Sequence, residues 1–380
     1  MSKKNILIIG PISESGGREI NSIFFLEQFT KKYHTSVFST IPVSSLSIVD
    51  EYLGEKKMNS FERVALKSFF IRCFSQIIKR KNNLQIENLF LVKNKISKLF
   101  FDFDKLYGLI LKKEISNKDI VFYSGLLTDK WLHLIVELCH QNNKKLIIRV
   151  TGSLKNETKY SNIVKDEKIV VHSLENFEIL KNEGFTNVKC IEQSSSLERE
   201  LLQLNISFQQ PLKFGYLGRM SHEKGLEIIV DTFKKNKLEL RIAGSGPLNN
   251  QIVNLTNNYP QIVKEHFIPY KNVPEFLSKI DVLLVLSKHE GGPLVGIEAM
   301  AAGKIVLSTK VGAMTQRLNL VDKDLFVTEH SEEELTNTIK SLLQKNRSEI
   351  YALKNKMREY YLDYASNEVV MTQYFQFIDS

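Results

Sequence analysis

Two acidic residues eight positions apart flank a glycine-rich turn in the second half of the chain. The stretch 287–304 reads SKHEGGPLVGIEAMAAGK and directly follows the strand-like run Asp281–Leu286. Glu290 lies in the predicted loop and Glu298 inside the predicted helix, so the two carboxylates can reach different parts of one extended ligand. One is suited to the hydroxyls of a sugar and the other to those of a ribose, because carboxylates accept hydrogen bonds from hydroxyl groups.

The same stretch predicts a helix start that attracts phosphate. Pro293 stands at the predicted first helical position, which leaves the backbone N–H groups of Leu294 and Val295 without partners inside the helix. Free amides at the positive end of a helix dipole bind anions. The loop residues that border this predicted site are His289, Gly291 and Gly292.

A second loop combines a glycine turn with two cations. The segment GYLGRMSHEKG places Gly218 after a strand, with Arg219 and Lys224 before a helix predicted to begin near Gly225. Two cations beside a helix start neutralise a diphosphate and stabilise the charge that grows on it as a bond to it breaks. The alternative is a solvated loop with incidental charges. Gly244, in the turn RIAGSGPL, is a further candidate for the same ligand.

The first half supplies another glycine turn, at Gly16 and Gly17, between the opening strand and the helix that follows it. It lacks the G-x-G-x-x-G spacing of a dinucleotide site, and no acidic residue closes a second strand about 20 residues later. A nicotinamide-dependent dehydrogenase is therefore disfavoured.

Short aliphatic runs alternate with helical patterns through both halves of the chain. This alternation predicts parallel sheets with helices on both faces. We therefore predict an α/β fold with two doubly wound Rossmann-like domains, separated by a polar junction near residues 193–210. One of the predicted helices runs from Thr128 to Gln141. The strand-like runs are 6–9, 36–39, 120–123, 146–150 and 169–171, then 212–217, 238–243, 281–286 and 304–308.

These motifs, in this order, resemble the retaining glycosyltransferases of family 4, which have the two-domain GT-B architecture. The resemblance covers nearly the whole chain and is strongest over residues 214–315. The matching residues are Glu290 and Glu298 for the family's E-x7-E signature, Gly218, Arg219, Lys224 and Gly225 for its phosphate loop, and Gly16 and Gly17 for its amino-terminal loop.

The resemblance implies a nucleotide-activated sugar held in a cleft between two facing domains. It places Glu298 on the ribose, Arg219 and Lys224 on the diphosphate, and Glu290 opposite the donor sugar. It further implies retention of the anomeric configuration without a metal held by an Asp-x-Asp pair, so we expect neither cofactor nor metal. The predicted domains are 1–195 on the acceptor side, 196–362 on the nucleotide-sugar side, and 363–380 as a final helix that crosses back to the first.

The sequence departs from the family where many relatives carry a histidine after the strand corresponding to Leu146–Val150. Thr151 stands there instead. A subset of bacterial polysaccharide glycosyltransferases looks similar at this point, with an arginine and a Gly-Ser-Leu. We therefore take Arg149, Thr151, Gly152 and Ser153 as the acceptor-side candidates.

Positive charge is concentrated in a phenylalanine-rich stretch of the first domain, about 56–113. This stretch holds eleven lysines and three arginines against four acids, whereas the whole chain has a net charge of +9. One interpretation is a set of helices that cover a sheet. The other is a face for anionic lipid headgroups, since each basic residue near such a surface contributes about 1 kcal/mol. Asp102 and Asp104 form an Asp-x-Asp here, which we interpret as helix-surface acids.

The three cysteines fit neither a disulfide framework nor a zinc ribbon, and the only aliphatic run near the start is too short for a signal peptide. We predict a cytoplasmic hexosyltransferase, peripheral on the inner face of the membrane. It would build a capsule, lipopolysaccharide or exopolysaccharide on a lipid-linked glycan acceptor, and nucleic acid is not an expected partner. Two alternatives stay open: a nucleotide-sugar epimerase of related architecture, and a basic scaffold or nucleic-acid-binding protein that has lost the chemistry.

Overall fold

The computed structural model describes residues 3–82, 102–154, 160–208, 210–265 and 267–380. Its contacts divide the chain into two compact units. The first unit comprises Met1–Thr151, Glu157–Val170 and Glu183–Lys189, and the second comprises Gly152–Asn156, Val171–Asn182 and Cys190–Ser380. The domain boundaries near 195 and 362 stay predictions.

The first unit is built on a seven-stranded parallel sheet in the order β3-β2-β1-β4-β5-β6-β7. The central strands consist of aliphatic and aromatic residues that are buried on both faces, as expected for a parallel sheet covered by helices. The strands are β1 (Asn5–Gly10), β2 (His34–Ser39), β3 (Asn59–Ser60), β4 (Ile120–Gly125), β5 (Lys145–Val150), β6 (Lys168–Val171) and β7 (Val188–Cys190).

The helices between these strands agree with the predicted alternation, with one change. They are α1 (Gly17–Thr30), α2 (Ile48–Leu53), α3 (Phe61–Ala65), α4 (Phe69–Asn82), α5 (Phe103–Ser116), α6 (Leu132–Gln141) and α7 (Leu174–Asn182). The predicted start of α6 at Thr128 is wrong. The Asp129 side chain accepts the Leu126 N–H at 2.9 Å and its carbonyl accepts the Leu132 N–H at 3.1 Å, which holds the segment as a turn. Residues 83–101 of the predicted basic stretch lie outside the described residues.

The second unit contains a five-stranded parallel sheet in the order β10-β9-β8-β11-β12. Its strands are β8 (Phe214–Leu217), β9 (Leu240–Ala243), β10 (Ile262–Lys264), β11 (Val282–Val285) and β12 (Ile305–Ser308). The residues of α7 belong to this second unit. The later helices of the unit are α8 (Glu198–Leu202), α9 (Leu226–Asn236), α10 (Asn249–Thr256), α11 (Val273–Ser278), α12 (Leu294–Ala301), α13 (Gly312–Val321), α14 (Glu332–Gln344), α15 (Arg347–Tyr360) and α16 (Asn367–Asp379). Among the described helices, none is long and apolar enough to cross a bilayer.

Both sheets reverse their strand order at one point. The reversal falls between β1 and β4 in the first unit and between β8 and β11 in the second. Loops that leave the carboxyl ends of two such strands diverge to opposite faces of the sheet and open a crevice, which is the usual ligand position in doubly wound folds. The loops that border these crevices are therefore the first places to examine for a site.

Candidate functional site

The loops that follow β8 and β9 touch through their backbones. Gly244 has a φ of +135°, and a methyl group there would lie 1.9 Å from the carbonyl oxygen of Gly218. The Gly218 N–H donates to the Ala243 carbonyl at 3.1 Å. Only glycine fits this conformation and this close approach. The two predicted glycines therefore lie side by side, at the edge of the sheet where the predicted cations begin.

Lys224 and Glu290 connect the two loops at the reversal point of the second sheet. The Lys224 ammonium contacts Oε1 of Glu290, and the Ser287 hydroxyl donates to the same oxygen at 3.0 Å. The Tyr216 hydroxyl donates to the Arg219 carbonyl at 2.6 Å, which fixes the loop backbone while the Arg219 side chain stays exposed. Of the three residues predicted to act on the donor at its diphosphate and sugar (Arg219, Lys224 and Glu290), the structure thus joins Lys224 and Glu290 directly.

Gly225 brings the start of α9 against the end of β11. Its φ is +67°, and a methyl group there would lie 2.4 Å from the Leu286 carbonyl oxygen and 2.7 Å from Nε2 of His330. Nε2 of His330 donates to that same carbonyl at 2.8 Å. The loop that carries Lys224 is therefore held in register with the strand that leads to Glu290.

The helix starts at this crevice have no capping side chain among the described residues. Gly225 precedes α9 and Pro293 precedes α12, and neither helix receives a side-chain hydrogen bond at its N-cap. Pro293 is the N-cap rather than the predicted first helical residue, because its ψ of 112° is extended and the helix begins at Leu294. The amides of Leu294 and Val295 keep the anion-binding character that the sequence predicts.

Glu298 is buried within α12, with 3% of its surface exposed. Its Oε1 accepts hydrogen bonds from the Tyr270 hydroxyl at 2.7 Å and from the Ser195 hydroxyl at 3.0 Å. Burial raises the pKa of Glu298 to about 7, although the two hydroxyls act in the opposite direction. Sequence reasoning missed Tyr270 and Ser195, since a lone tyrosine in a turn and a serine in a polar junction carry no motif.

A buried ion pair holds the start of α12 in place. Arg317 on α13 is 0% exposed and donates to both carboxylate oxygens of Glu192, at 3.0 and 2.6 Å. Its Nη1 donates to the Pro293 carbonyl at 3.0 Å, and the Tyr360 hydroxyl donates to Glu192 at 3.1 Å. Arg317 is thus a positioning residue for the predicted phosphate site, and no sequence motif marks it.

Gly291 is packed against Gly152, one of the acceptor-side candidates. A methyl group on Gly291 would lie 2.2 Å from the Gly152 carbonyl oxygen, which also accepts a hydrogen bond from the Asn176 amide at 2.9 Å. Gly152 has a φ of +86°. A methyl group on Gly292 would meet the Gln193 side chain at 2.4 Å. Of the neighbouring candidates, His289 is exposed and Ser153 is half-buried.

The remaining candidates lie in the first unit. Gly16 is the N-cap of α1, again without a side-chain hydrogen bond, and Gly17 is the first residue of that helix. Arg149 is buried, donates to the Ser124 hydroxyl at 3.1 Å and lies over the Phe25 ring. The Thr151 N–H donates to the Gly125 carbonyl at 3.0 Å.

Comparison with known proteins identifies the second unit. Residues 200–363 match the family model described as Glycosyl transferases group 1. This part of the chain is a group 1 glycosyltransferase domain. The domain contains the Lys224–Glu290 pair, both helix starts and Glu298.

Two of the relatives in sequence are described as glycosyltransferases. An uncharacterized glycosyltransferase of Methanocaldococcus jannaschii is 27% identical over 210 residues, which are 54% of this chain and 47% of that protein. The O-antigen biosynthesis glycosyltransferase WclY of Escherichia coli is 22% identical over 225 residues, 53% of this chain and 64% of its own. The match thus spans about half the length of these curated relatives.

Comparison with solved structures shows that the fold is similar over nearly the whole chain. HepE of Anabaena, solved with UDP and glucose, superposes with a TM-score of 0.70 at 14% identity and covers 99% of this chain and 100% of its own. A TarM variant of S. aureus, solved with UDP, fondaparinux and α-GlcNAc-glycerol, gives 0.70 at 13% identity, with 99% and 100% covered. The predicted fold, with two Rossmann-like halves of the GT-B type, is confirmed.

Proposed function

We propose that the chain is a retaining glycosyltransferase that moves a sugar from a nucleoside-diphosphate sugar to a glycan acceptor. The observation that carries the proposal is the crevice of the second sheet. Two uncapped helix starts, at Gly225 and Pro293, meet there with Lys224, Glu290 and the exposed Arg219. This combination suits a diphosphate joined to a polyhydroxylated group.

In the proposed reaction, the bond between the donor sugar and the diphosphate breaks and charge grows on the leaving group. Lys224, Arg219 and the amides at the start of α12 would stabilise that charge. Glu290, whose carboxylate lies beside Lys224, would face the sugar, and Glu298 would accept hydrogen bonds from the ribose. The acceptor hydroxyl would then attack from the face that the diphosphate leaves and pass its proton to the departing phosphate oxygen, which retains the anomeric configuration.

The relatives support a bacterial surface polysaccharide as the product, because WclY is described by its role in O-antigen biosynthesis. The donor base is best supported as uridine, since HepE has been solved with UDP and with UDP-glucose. No step of the proposed reaction requires a metal. Turnover should therefore survive EDTA, and the anomeric proton of the product should report retention by NMR.

A lipid-linked acceptor at the inner membrane face is supported by the surface of α4. Phe69 and Phe70 are 71% and 78% exposed at its start, and the helix sequence contains basic but no acidic residues. Apolar and cationic side chains together favour an anionic membrane interface. Phe69→Ser/Phe70→Ser should reduce sedimentation with anionic vesicles at low salt. Equal binding of the wild type to neutral and anionic vesicles would contradict this part of the proposal.

Donor binding can be tested by thermal unfolding with UDP, GDP, ADP and CMP, because a ligand of the folded state raises its melting temperature. We expect the largest shift with UDP. Lys224→Ala should weaken UDP binding by roughly tenfold or more, since a hydrogen bond between charged groups contributes about 1.5–3 kcal/mol. The control is Lys235→Ala, which removes a lysine that pairs with Glu332 on α14.

The outcomes separate the alternatives. A nucleotide shift that Lys224→Ala abolishes, with product formed only when an acceptor is present, supports transfer. Conversion of the nucleotide sugar without acceptor would instead indicate an epimerase. A folded protein that shifts with none of these nucleotides would contradict the proposal and favour a scaffold.

A further inference from the structure

His330 reaches the reversal point of the second sheet from a part of the chain far from Lys224. It is half-buried in the loop that leads to α14. Its Nε2–H donates to the Leu286 carbonyl at 2.8 Å. Leu286 directly precedes Ser287, whose hydroxyl donates to Glu290 at 3.0 Å. The histidine therefore fixes the backbone one residue ahead of the hydroxyl that holds Glu290.

The same ring borders the loop that carries Lys224. A methyl group at Gly225 would lie 2.7 Å from Nε2 of His330 and 2.4 Å from the Leu286 carbonyl oxygen, so ring, carbonyl and glycine backbone meet at one point. Gly225 directly follows Lys224 and is the N-cap of α9. One imidazole thus lies against both of the loops whose side chains form the Lys224–Glu290 pair.

The histidine is itself held by the start of α14. Ser331 caps that helix by accepting the Glu334 N–H at 3.2 Å, and the Thr328 hydroxyl donates to Oε1 of Glu334 at 2.6 Å. His330 lies between these two anchored residues in the sequence. Its backbone is therefore already ordered, and little conformational entropy is lost when the ring bonds to Leu286.

A backbone hydrogen bond forms a second link between the two loops. The Lys288 N–H donates to the Glu223 carbonyl at 2.8 Å. The Thr309 hydroxyl also donates to the Ser287 carbonyl at 2.7 Å, but that bond comes from the end of β12 and does not involve the loop of Lys224. The bonds at Leu286 and Lys288 therefore act together on the separation of the two loops.

We propose that His330 is a positioning residue for Lys224 and Glu290. By fixing the Leu286 carbonyl against Gly225, it holds the two side chains at the separation that the donor site needs. A displacement of about 1 Å is enough to weaken a site of this kind. That Lys224 and Glu290 act on a nucleoside-diphosphate sugar rests on the proposed function, whereas the coupling of the two loops does not depend on it.

Hydrogen exchange of the free protein tests the coupling. His330→Phe keeps an aromatic ring but removes the donor, and His330→Gln restores an N–H donor. Mass spectrometry should show faster exchange in segments 218–225 and 286–290 of His330→Phe, because loss of the bond favours local opening. His330→Gln should exchange nearly as slowly as the wild type. The control is His133→Phe, the same change on α6 at a side chain that is 56% exposed, which should alter neither segment.

UDP titration measures the consequence for the donor site. We expect UDP to bind roughly three- to tenfold more weakly to His330→Phe, which is the range that loss of one hydrogen bond produces. His330→Gln should recover most of the affinity. Thermal unfolding is measured alongside, because a purely structural role would lower the melting temperature and leave the UDP affinity of the folded protein unchanged.

The proposal is overturned if the two segments exchange equally in the wild type and His330→Phe, or if exchange rises equally in all other segments. An unchanged UDP affinity in His330→Phe would overturn it as well. If His330→Gln behaved like His330→Phe, the N–H would not be what matters and the proposal would fail. A wild type that binds no UDP would contradict the proposed function, while the exchange measurement would still decide whether His330 holds the loops.

Discussion

The two sheets reverse their strand order in the same way, yet the crevices at the two reversal points have opposite chemistry. In the second unit the crevice is bordered by glycines, cations and uncapped helix starts. In the first unit it opens into a cavity of about 610 Å³, the acidic cavity, lined by acids and aromatic rings that include Glu62, Asp102, Asp104, Tyr107 and Trp131. The strand order therefore determines where a ligand can bind, while the loops determine what kind of ligand it is.

The helix starts show how the difference arises. Helices α3 and α5, at the acidic cavity, begin with Ser60 and Asp102 as capping residues and carry Glu62 and Asp104 in their first turns. Those side chains satisfy the amides and offset the positive end of the helix dipole. Helix α12 has neither a capping side chain nor an acid in its first turn, so its positive end remains available to an anion.

The largest effect is expected where the buried ion pair holds the start of α12. Arg317→Met should lower the free energy of unfolding by about 3–5 kcal/mol, because it leaves Glu192 buried without its counter-charge. Arg347→Met, at the exposed start of α15, is the control. Denaturant unfolding measures both. An unchanged stability in Arg317→Met would show that this pair does not hold the helix start of the basic crevice.

Glu290→Gln should lower turnover by about 10²–10³-fold if Glu290 stabilises the transition state electrostatically. UDP binding should be retained or strengthened, since the change frees Lys224 from its carboxylate partner. Initial rates and UDP titration give the two values separately. Glu333→Gln, at an exposed position of α14, controls for the loss of a carboxylate. Turnover equal to that of the wild type would break the assignment of the basic crevice as the reacting site.

The buried carboxylate Glu298 should make stability depend on pH. Its pKa is about 7 when folded against an ordinary 4.5, so the folded state binds the proton more tightly than the unfolded state. The stabilisation by the neutral form is complete below about pH 4.5 and is lost as pH rises to 7, by up to about 3 kcal/mol. The free energy of unfolding of Glu298→Gln should lack this loss between pH 4.5 and 7. If the free energies of unfolding of the two proteins changed equally with pH, the prediction would be contradicted.

The smallest effect is expected at the rim of the acidic cavity. Asp104 and Lys130 pair at 2.6 Å but are 68% and 63% exposed. Asp104→Asn should change the free energy of unfolding by less than about 1 kcal/mol, because water screens such a pair. Thermal unfolding tests this. A larger loss would mean that the rim charge supports the fold, which would weaken the contrast in ligand chemistry between the two crevices.

The sequence was informative where a local pattern determines the structure. Aliphatic runs alternating with helical patterns were enough for the two doubly wound halves, and the glycines at 225 and 244 marked turns that only glycine can adopt. The contact between Lys224 and Glu290 follows from the topology, since both loops leave strands that adjoin at the reversal point.

Contacts between distant segments could not be predicted in this way. Ser195 and Tyr270 meet Glu298 from separate segments, and Arg317 finds Glu192 125 positions earlier in the chain. Asp102 and Asp104 were interpreted as helix-surface acids. Asp104 is indeed an exposed residue of α5, whereas Asp102 caps that helix, and both line the acidic cavity. The burial of Glu62 could not be predicted from a short sequence pattern either, because it arises only when α3 packs in the folded unit.

The contact between Gly152 and Gly291 involves main-chain atoms on one side and the absence of a side chain on the other. The geometry of such a contact does not depend on which side chains the neighbouring residues carry. Positions such as Ser153 and His289 can therefore diverge between descendants of one ancestor without changing the spacing of the two loops. Single substitutions beside this contact can therefore change the local surface, whereas any side chain at Gly291 would clash with the Gly152 carbonyl oxygen.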